Sequence, residues 1–231
     1  MRSALDAAFE ISARGDALTL IPADRIRDLY AICDNSLCPE RSLEYLATEL
    51  VQGGADVLQL RVKGQDDFTR QRREAAAHFI MRLKAEYSFC FIINDDPALV
   101  LHLGADGVHV GADDPSVDAC RRLLGPSKII GYSAHAIDEA KAAAQSGADY
   151  VAFGAIFPSQ TKGPEHPVQG LRRLRRLVRQ ISVPVVAIGG LNADNVASAC
   201  ASGARAVAMI QALTAAPNIQ IAARILRARL A

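Results

Sequence analysis

The residues with the clearest capacity for chemistry lie between Phe91 and Asp114, in the sequence FIINDDPALVLHLGADGVHVGADD. The segment is predicted to form a strand, a short helix and a second strand, with acidic residues directly after each strand. If the two strands are parallel neighbours, Asp95 and Asp114 stand roughly 5 Å apart, which is one strand spacing. Two carboxylates at that separation can share a divalent cation. Oxygen ligands completed by phosphate and water suit Mg²⁺ better than Zn²⁺.

Helix capping is the alternative explanation for the same acidic residues. Asp95 and Asp96 would cap the helix that follows them, with Pro97 in its first turn. Asp113 and Asp114 would cap the next helix in the same way. Because both explanations use the same residues, the choice between them depends on the rest of the chain.

The composition predicts one large domain without a general affinity for polyanions. The chain has 231 residues, 50% of them hydrophobic, and no Pro/Gly/Ser-rich linker divides it. Because 26 Lys and Arg residues nearly balance 25 Asp and Glu residues, we expect no general attraction to nucleic acid or to an anionic membrane. The arginine-rich residues 171–179 have leucines at a spacing of three, which indicates a core-facing helix with a solvated face. Any anion binding should therefore be local.

Cysteine usage and the lack of targeting patterns predict a cytoplasmic protein. The five cysteines are scattered, without a CxxC pair or a His/Cys cluster at zinc spacing, which is typical of free thiols in a reducing compartment. We find no export signal and no run approaching the ~18 apolar residues of a membrane helix. The expected partners are small molecules rather than nucleic acid or membrane. The sequence leaves the oligomeric state open and is compatible with a homo-oligomer.

Internal repeats indicate how the chain is built. Four segments each end a helical stretch and open an apolar run: Gly54–Val57, Gly104–Val108, Gly147–Val151 and Gly203–Val207. The glycine accepts the left-handed conformation found at helix ends, so the chain can turn directly into a buried strand. Four further apolar runs have strand length: Leu29–Cys33, Phe89–Ile93, Lys128–Gly131 and Val185–Ile188. The pattern predicts eight strands that alternate with helical stretches.

Eight βα units in about 200 residues favour a TIM (β/α)8 barrel, an α/β fold. The strands are continuously apolar, which indicates parallel strands that are buried on both faces. The GxGxxG turn that usually marks a Rossmann sheet is missing from the sequence. We predict an N-terminal extension, residues 1–28, followed by a single barrel domain, residues 29–231. The active site of such a barrel lies at the carboxyl ends of its strands.

Polar residues follow the second predicted strand. Gln59, Arg61 and Lys63 occupy alternate positions and should therefore point the same way. Next to the strand that carries Asn94 and Asp95, they would form a pocket for a polyanion and its metal. A solvated strand end is the alternative, but an unpaired charge inside so apolar a run is costly.

The fifth and sixth strands are also followed by polar residues. Ser133 can hydrogen-bond a ligand, and His135 can act as an acid, a base or a helix cap. The loop at residues 155–170 is long enough to act as a lid over the site. It carries two hydroxyls and a cation suited to phosphate, which are Ser159, Thr161 and Lys162.

A second anion site is predicted after the last two strands. Gly189 and Gly190 allow backbone amides to approach an oxyanion. The eighth strand is expected to end near Ile210 and Gln211, and a helix N-terminus is expected in the same region. Glycines and a helix N-terminus at these positions form the usual phosphate site of a TIM barrel.

Taken together, these strand ends resemble the thiamine phosphate synthase family. The motifs that carry the resemblance are Gln59–Lys63, Ile93–Asp95, Gly104–Gly111 with Asp114, Gly131–His135, Pro158–Lys162 and Ala187–Gly190. The resemblance extends from about Leu29 to Leu213. It implies a TIM-barrel transferase that joins hydroxymethylpyrimidine diphosphate to a thiazole phosphate. The implied reaction depends on Mg²⁺, passes through a dissociated pyrimidine cation and releases pyrophosphate.

The resemblance also implies roles for individual residues. Asp95 and Asp114 would hold Mg²⁺ on the diphosphate. The pyrimidine substrate would be bound by Gln59, Arg61, Lys63, Asn94, Ser133 and Lys162. Catalysis would depend on four of these, namely Arg61, Lys63, Asn94 and Lys162. The thiazole phosphate would be held by Ser159, Thr161, Gly190, Ile210 and Gln211. No protein nucleophile is required.

Departures from the family pattern keep two other functions open. At four positions the sequence differs from the residue that is common in the family. It has Ala112 where Gln is common, Ala155 where Pro is common, Ser159 where Thr is common and Gln211 where Ser is common. The first alternative is a thiazole tautomerase, which shares the barrel and the thiazole phosphate site. Such an isomerase needs no diphosphate or metal site, so Asp95, Asp114 and Lys63 argue against it. The second alternative is a non-catalytic barrel that binds a phosphorylated ligand.

Overall fold

The computed structural model describes residues 22–158 and 167–230. In this part of the chain, parallel strands close into an eight-stranded barrel in sequence order, and the first strand pairs with the last. The strands are β1 (Asp28–Cys33), β2 (Val57–Leu60), β3 (Cys90–Asn94), β4 (Gly107–Val110), β5 (Ile129–Ala134), β6 (Tyr150–Gly154), β7 (Val185–Ile188) and β8 (Ala206–Met209). The predicted TIM barrel is therefore confirmed.

Helices surround the barrel and connect its strands. They are α1 (Leu43–Gln52), α2 (Asp67–Leu83), α3 (Pro97–Leu103), α4 (Val117–Leu124), α5 (Ile137–Gln145), α6 (Gly170–Val178), α7 (Val196–Ala201), α8 (Gln211–Thr214) and α9 (Ile219–Ala228). A short 3₁₀ helix at Pro22–Arg25 precedes β1. Over the described ranges, every helix is too short or too polar to cross a membrane.

The repeated glycines have the predicted backbone conformation. Their φ angles lie between 74° and 96° at Gly54, Gly104, Gly147 and Gly203. Residues with a side chain rarely adopt this region, so glycine is what allows each helix to turn directly into the next strand.

The aspartates of the repeats lie at the amino end of the barrel, opposite the expected active site. Asp106 accepts a hydrogen bond from the backbone N–H of Phe91 at 2.7 Å, and Asp149 accepts one from Ile130 at 2.7 Å. Asp149 also pairs with Arg121 at 2.6 Å. These carboxylates fix the starts of neighbouring strands and therefore have a structural role.

Apolar side chains form one layer inside the barrel and another between the strands and helices. The inner layer comes from alternate strand positions, including Tyr30, Ile92 and Tyr150. Ile26 is fully buried in this layer, although it was assigned to the N-terminal extension. β1 begins at Asp28, one residue before the predicted start of the barrel. The rest of the predicted extension, residues 1–21, lies outside the described residues.

Candidate active site

A cavity of about 610 Å³ opens at the carboxyl ends of the strands. Because the strand ends converge there, residues far apart in sequence share its wall. Eight of the predicted site residues line it, namely Gln59, Arg61, Lys63, Asn94, Asp95, Asp114, Ser133 and Ile210. The structure thus places most of the predicted diphosphate and metal residues in one cavity.

The floor of the cavity is polar because buried amide side chains replace apolar ones at the carboxyl ends of β2 and β3. Gln59 and Asn94 are only 3% and 7% exposed. The Gln59 side-chain N–H donates to Asn94 Oδ1 at 2.9 Å, so the two buried amides are hydrogen-bonded to each other. β2 ends at Leu60, and the predicted strand end at Gln59–Lys63 therefore continues as a loop. Arg61 and Lys63 still face the cavity, as their alternate spacing predicted.

Helix capping and the cavity use different aspartates. Asp96 is the N-cap of α3: its carboxylate accepts from the backbone N–H of Leu99 at 2.9 Å, and Pro97 occupies the first turn. Ser116, rather than Asp113 or Asp114, caps α4. The capping explanation therefore holds for Asp96 and is wrong for Asp113 and Asp114.

Backbone geometry directs Asp95 into the cavity. Asp95 has a φ of 61°, in the left-handed region that aspartate tolerates better than most residues. Its N–H donates to the His109 carbonyl at 2.8 Å, which continues the pairing of β3 with β4. Lys63 Nζ donates to Asp95 Oδ2 at 2.5 Å. The Asp95 side chain is thus held between a cation and the loop after β4.

The carboxyl groups of Asp95 and Asp114 share one wall of the cavity and influence each other electrostatically. Burial raises the pKa of Asp95, and the neighbouring Asp114 raises it further, while Lys63 opposes the shift. Asp114 Oδ2 also accepts from the backbone N–H of Gly111 at 2.8 Å, which closes the turn between these two residues. Two acidic groups held together in this way are unfavourable unless a proton or a cation lies between them.

The donors in the cavity fit a hard divalent cation. The described lining contains five carboxylates, from Asp34, Asp95, Asp113, Asp114 and Glu139, and two permanent cations, Arg61 and Lys63. A diphosphate would be repelled by this excess of negative charge unless a metal ion accompanied it. Carboxylate oxygens with room for phosphate oxygens and water are the ligands that Mg²⁺ prefers. The residues at Asp95 and Asp114 therefore fit the predicted metal.

Asp34 is a site residue that the sequence analysis missed. It follows β1 and is 3% exposed, and its Oδ2 accepts a short hydrogen bond from the Arg61 guanidinium. Its Oδ1 accepts from the backbone N–H of Ser36 at 2.8 Å. The acidic partner fixes the direction in which Arg61 enters the cavity. Only the pairing of β1 with β2 brings the two residues together.

A buried chain of hydrogen bonds ends at Ser133. Tyr30 Oη and Tyr150 Oη are 2.7 Å apart, Tyr150 Oη lies 2.9 Å from His109 Nδ1, and His109 Nε2 lies 2.8 Å from Ser133 Oγ. Burial lowers the pKa of His109 to about 4, so its imidazole is neutral near pH 7. His109 was also missed. The available signal was the position of His109 near the carboxyl end of β4, beside the strand that carries Ser133.

The base of the long loop after β6 is attached to the end of β7. Ile156 and Phe157 donate backbone hydrogen bonds to Ile188 and Gly189 at 2.9 and 3.0 Å. Gly190 has a φ of 66°, and a Cβ there would lie 2.4 Å from the Pro158 carbonyl oxygen, so only glycine fits. The loop therefore leaves the barrel beside Gly190. Ser159, Thr161 and Lys162 themselves lie outside the described residues.

Comparison with known proteins identifies the family. A sequence model described as thiamine monophosphate synthase matches residues 29–213, the interval over which the resemblance was found. The chain belongs to the thiamine monophosphate synthase family. Its members are enzymes, and the predicted transferase function in thiamine biosynthesis is thereby confirmed.

Individual relatives agree with this assignment. The thiamine-phosphate synthase of Nitrosococcus oceani is 43% identical, over 86% of this chain and 90% of the relative. That of Alcanivorax borkumensis is 42% identical, over 90% of this chain and 96% of the relative. The solved structure of thiamine phosphate pyrophosphorylase from Pyrococcus furiosus has a TM-score of 0.80 and 31% identity, over 90% of this chain and 96% of that one.

The positions that depart from the family pattern differ in their distance from the cavity. Ala112 lies on its wall and is exposed. Ala155 is buried, and its carbonyl accepts from the Gln169 N–H at 2.7 Å, which closes the base of the loop. Gln211 is the exposed first residue of α8 and does not line the cavity, whereas Ile210 does. Among the departures that the structure describes, Ala112 alone contacts the cavity, and Ser159 lies outside the described residues.

Proposed function

We propose that this chain condenses hydroxymethylpyrimidine diphosphate with thiazole phosphate to give thiamine phosphate and pyrophosphate, in a reaction that requires Mg²⁺. The observation that carries the proposal is that the Asp95 and Asp114 carboxyl groups line one cavity together with Lys63 and Arg61 and interact electrostatically there. A thiazole isomerase has no use for that arrangement. Neighbouring carboxylates together with cations are the groups needed to hold a metal–diphosphate pair.

Asp95 and Asp114 are the proposed metal ligands. When bound, Mg²⁺ supplies positive charge to the diphosphate oxygens and so stabilises the negative charge of the leaving group. Lys63 already donates to Asp95 at 2.5 Å and stands where it can also reach the diphosphate. The two carboxylates, which repel each other in the free protein, would then share one metal ion. Metal binding should therefore stabilise the folded protein.

The other cations are proposed to stabilise the departing pyrophosphate. Arg61, oriented by Asp34, enters the cavity from β2, and the Gln59–Asn94 amide pair lies beneath it. Lys162 would add a further cation from the loop after β6. Fixed donors in a partly enclosed site stabilise developing charge without reorganising. Because the leaving group departs with its electrons, no protein nucleophile is needed.

Ser133 is proposed to bind the pyrimidine ring, and His109 to position its hydroxyl. Both nitrogens of the neutral His109 imidazole are hydrogen-bonded, one as donor and the other as acceptor. The ring therefore fixes the direction of the Ser133 hydroxyl. The low pKa excludes His109 as the group that exchanges protons near pH 7. The thiazole phosphate would lie on the opposite side, against Gly190, Ile210 and the Gln211 amide, with Ser159 and Thr161 from the loop.

Replacing His109 by Gln is expected to raise the KM for the pyrimidine diphosphate about fivefold, since one oriented hydrogen bond contributes roughly 1 kcal/mol. Steady-state kinetics with the thiazole phosphate saturating would measure the change. Tyr30→Phe is the matched control: it removes the far end of the same hydrogen-bonded chain, which does not touch Ser133. Equal KM changes in the two variants would contradict the positioning role.

The same histidine should make folding stability depend on pH. Between pH 6.5 and about 4 the unfolded chain binds a proton at His109 that the folded protein does not. The stability that depends on a neutral His109 is thus fully present above pH 6.5 and is lost as the pH falls toward 4. In urea unfolding experiments, the free energy of unfolding of His109→Gln should accordingly fall less across this window than that of the wild-type protein.

A two-substrate assay tests the proposed reaction. The protein is incubated with pyrimidine diphosphate, thiazole phosphate and Mg²⁺, and both pyrophosphate and thiamine phosphate are measured. Equimolar formation of the two products is expected. Thiazole isomerisation without pyrophosphate would establish the tautomerase instead. Binding of thiazole phosphate without product at any Mg²⁺ concentration would establish a non-catalytic barrel.

The cellular setting is part of the proposal. Within the described residues the cysteines are free, and four of them are buried, which is compatible with a reducing cytoplasm. We infer phosphorylated small molecules as the ligands, without nucleic acid or membrane partners. A homo-oligomer remains compatible with the fold.

A further inference from the structure

A second group of metal-ligating side chains lies on the outer surface, between α2 and α3. Glu74, His78 and His102 place their ligand atoms within 4.8 Å of one another. Glu74 Oε1 is 4.0 Å from Nε2 of His78 and 3.9 Å from Nε2 of His102. None of the three lines the cavity at the strand ends. We call these three residues the α2–α3 cluster.

The ligand atoms of the α2–α3 cluster have no competing partners among the residues that the structure describes. Glu74 makes no ion pair with Lys or Arg there, and its carboxylate lies between the two imidazoles. The two rings meet edge to face, with centroids 6.3 Å apart and planes at 87°. Both nitrogens can therefore turn toward a common point beside the carboxylate.

The distances are within reach of a metal-bound geometry. Ligands about 2.0–2.1 Å from Zn²⁺ in a tetrahedron lie roughly 3.3 Å apart. The pairs in the cluster therefore need to approach by about 1.5 Å or less. The side chains of Glu74, His78 and His102 are 51%, 51% and 64% exposed, so rotation about their side-chain bonds can supply this movement.

We propose that Glu74, His78 and His102 form a surface site for a first-row transition-metal ion such as Zn²⁺, separate from the magnesium site. Two imidazoles and one carboxylate favour Zn²⁺, Cu²⁺ or Ni²⁺, whereas Mg²⁺ prefers oxygen ligands alone. Water would complete the coordination. The two metals would therefore not compete for the same residues.

A bound ion would link two helices that flank the active site. Glu74 and His78 lie one turn apart on α2, and His102 lies in the last turn of α3. At its other end α3 begins directly after Asp95 and Asp96, and Asp96 pairs with Arg73 of α2 at 3.1 Å. Metal binding would thus add a second connection between α2 and α3 and should raise the melting temperature.

Calorimetric titration with Zn²⁺ in excess Mg²⁺ tests the proposal. The compared proteins are the wild type, Glu74→Gln and the double variant His78→Gln/His102→Gln. Glu86→Gln is the matched control, because it removes another exposed carboxylate that follows the same helix. Excess Mg²⁺ occupies the oxygen ligands of the cavity, and comparison with the double variant subtracts any binding elsewhere.

The wild type should bind one Zn²⁺ more tightly than the double variant by at least about tenfold, because even residues that only support metal ligands typically contribute 10–100-fold. Glu74→Gln should also weaken binding, and Glu86→Gln should not. Zn²⁺ should raise the melting temperature of the wild type more than that of the double variant. Equal behaviour of the wild type and the double variant toward Zn²⁺, including no binding by either, overturns the proposal.

Discussion

Replacing Asp95 or Asp114 by Asn is expected to reduce pyrophosphate formation by at least about 10³-fold, because each change removes a proposed ligand of the ion that stabilises the leaving group. The fold should survive. Asp95→Asn loses a half-exposed pair with Lys63 but also relieves the repulsion between two carboxylates. The net change in unfolding free energy should therefore stay within about 1 kcal/mol.

Two measurements separate a metal-site effect from a folding effect. Initial rates of pyrophosphate release should fall sharply in both variants, and Mg²⁺ should raise the melting temperature of the wild type but not of the variants. Asp113→Asn is the matched control, because Asp113 also lines the cavity and adjoins Asp114. Asp95→Asn with at least a tenth of wild-type activity, or Asp113→Asn as inactive as Asp114→Asn, would rule out the assigned ligands.

Replacing Asp106 by Asn is expected to lower the free energy of unfolding by about 2–4 kcal/mol. Its carboxylate is 14% exposed and accepts from Arg25 at 2.6 Å, from Lys84 and from the backbone N–H of Phe91. Removing the charge leaves two partly buried cations without their partner. Because both cations retain some contact with solvent, the expected loss of unfolding free energy is smaller than that for a fully buried pair.

The pKa of Asp106 determines the pH at which this stability appears. Burial alone would raise the pKa, but the hydrogen bonds from Arg25 and Lys84 outweigh it, and the net pKa is lowered. The stabilisation is therefore present above the ordinary aspartate pKa and lost as the pH falls below it. The difference between wild type and Asp106→Asn in urea unfolding should shrink in strong acid.

An exposed aspartate provides the comparison for this experiment. Asp194→Asn should change stability by no more than about 0.5 kcal/mol, since Asp194 is exposed. Activity per folded molecule should be unchanged in Asp106→Asn, because Asp106 lies at the opposite end of the barrel from the cavity. A loss of stability below about 1 kcal/mol would contradict the structural role that we assign to the repeat aspartates.

The sequence was sufficient for the barrel because its local signals agree with one another. The predicted strand at Val185–Ile188 has the same bounds as β7. The repeated glycines marked where helices turn into strands, and period-two spacing placed Gln59 and Arg61 on the cavity side. Strand ends were less certain. Pairing with the neighbouring strand, rather than composition, decides where β2 stops.

The sequence also indicated that Asp95 and Asp114 would face one cavity, because the strands that precede them are consecutive and parallel. It did not determine which of Asp95 and Asp96 would cap α3. Tertiary structure decided this: Asp96 caps the helix and pairs with Arg73, and the left-handed conformation of Asp95 directs its carboxylate toward Asp114. Two adjacent aspartates therefore have different functions because their backbone angles differ.

Other parts of the site depended on tertiary structure alone. Asp34 reaches Arg61 only because β1 pairs with β2, and Tyr30 reaches Tyr150, 120 residues away, only because the barrel closes. Local sequence patterns fix periodicity and turns, and so they determined the fold and the end of the barrel at which chemistry occurs. They contain no information about which buried polar groups will satisfy one another across the closed barrel. Packing decides that, because burial leaves each such group only the partners that the fold brings within hydrogen-bonding distance.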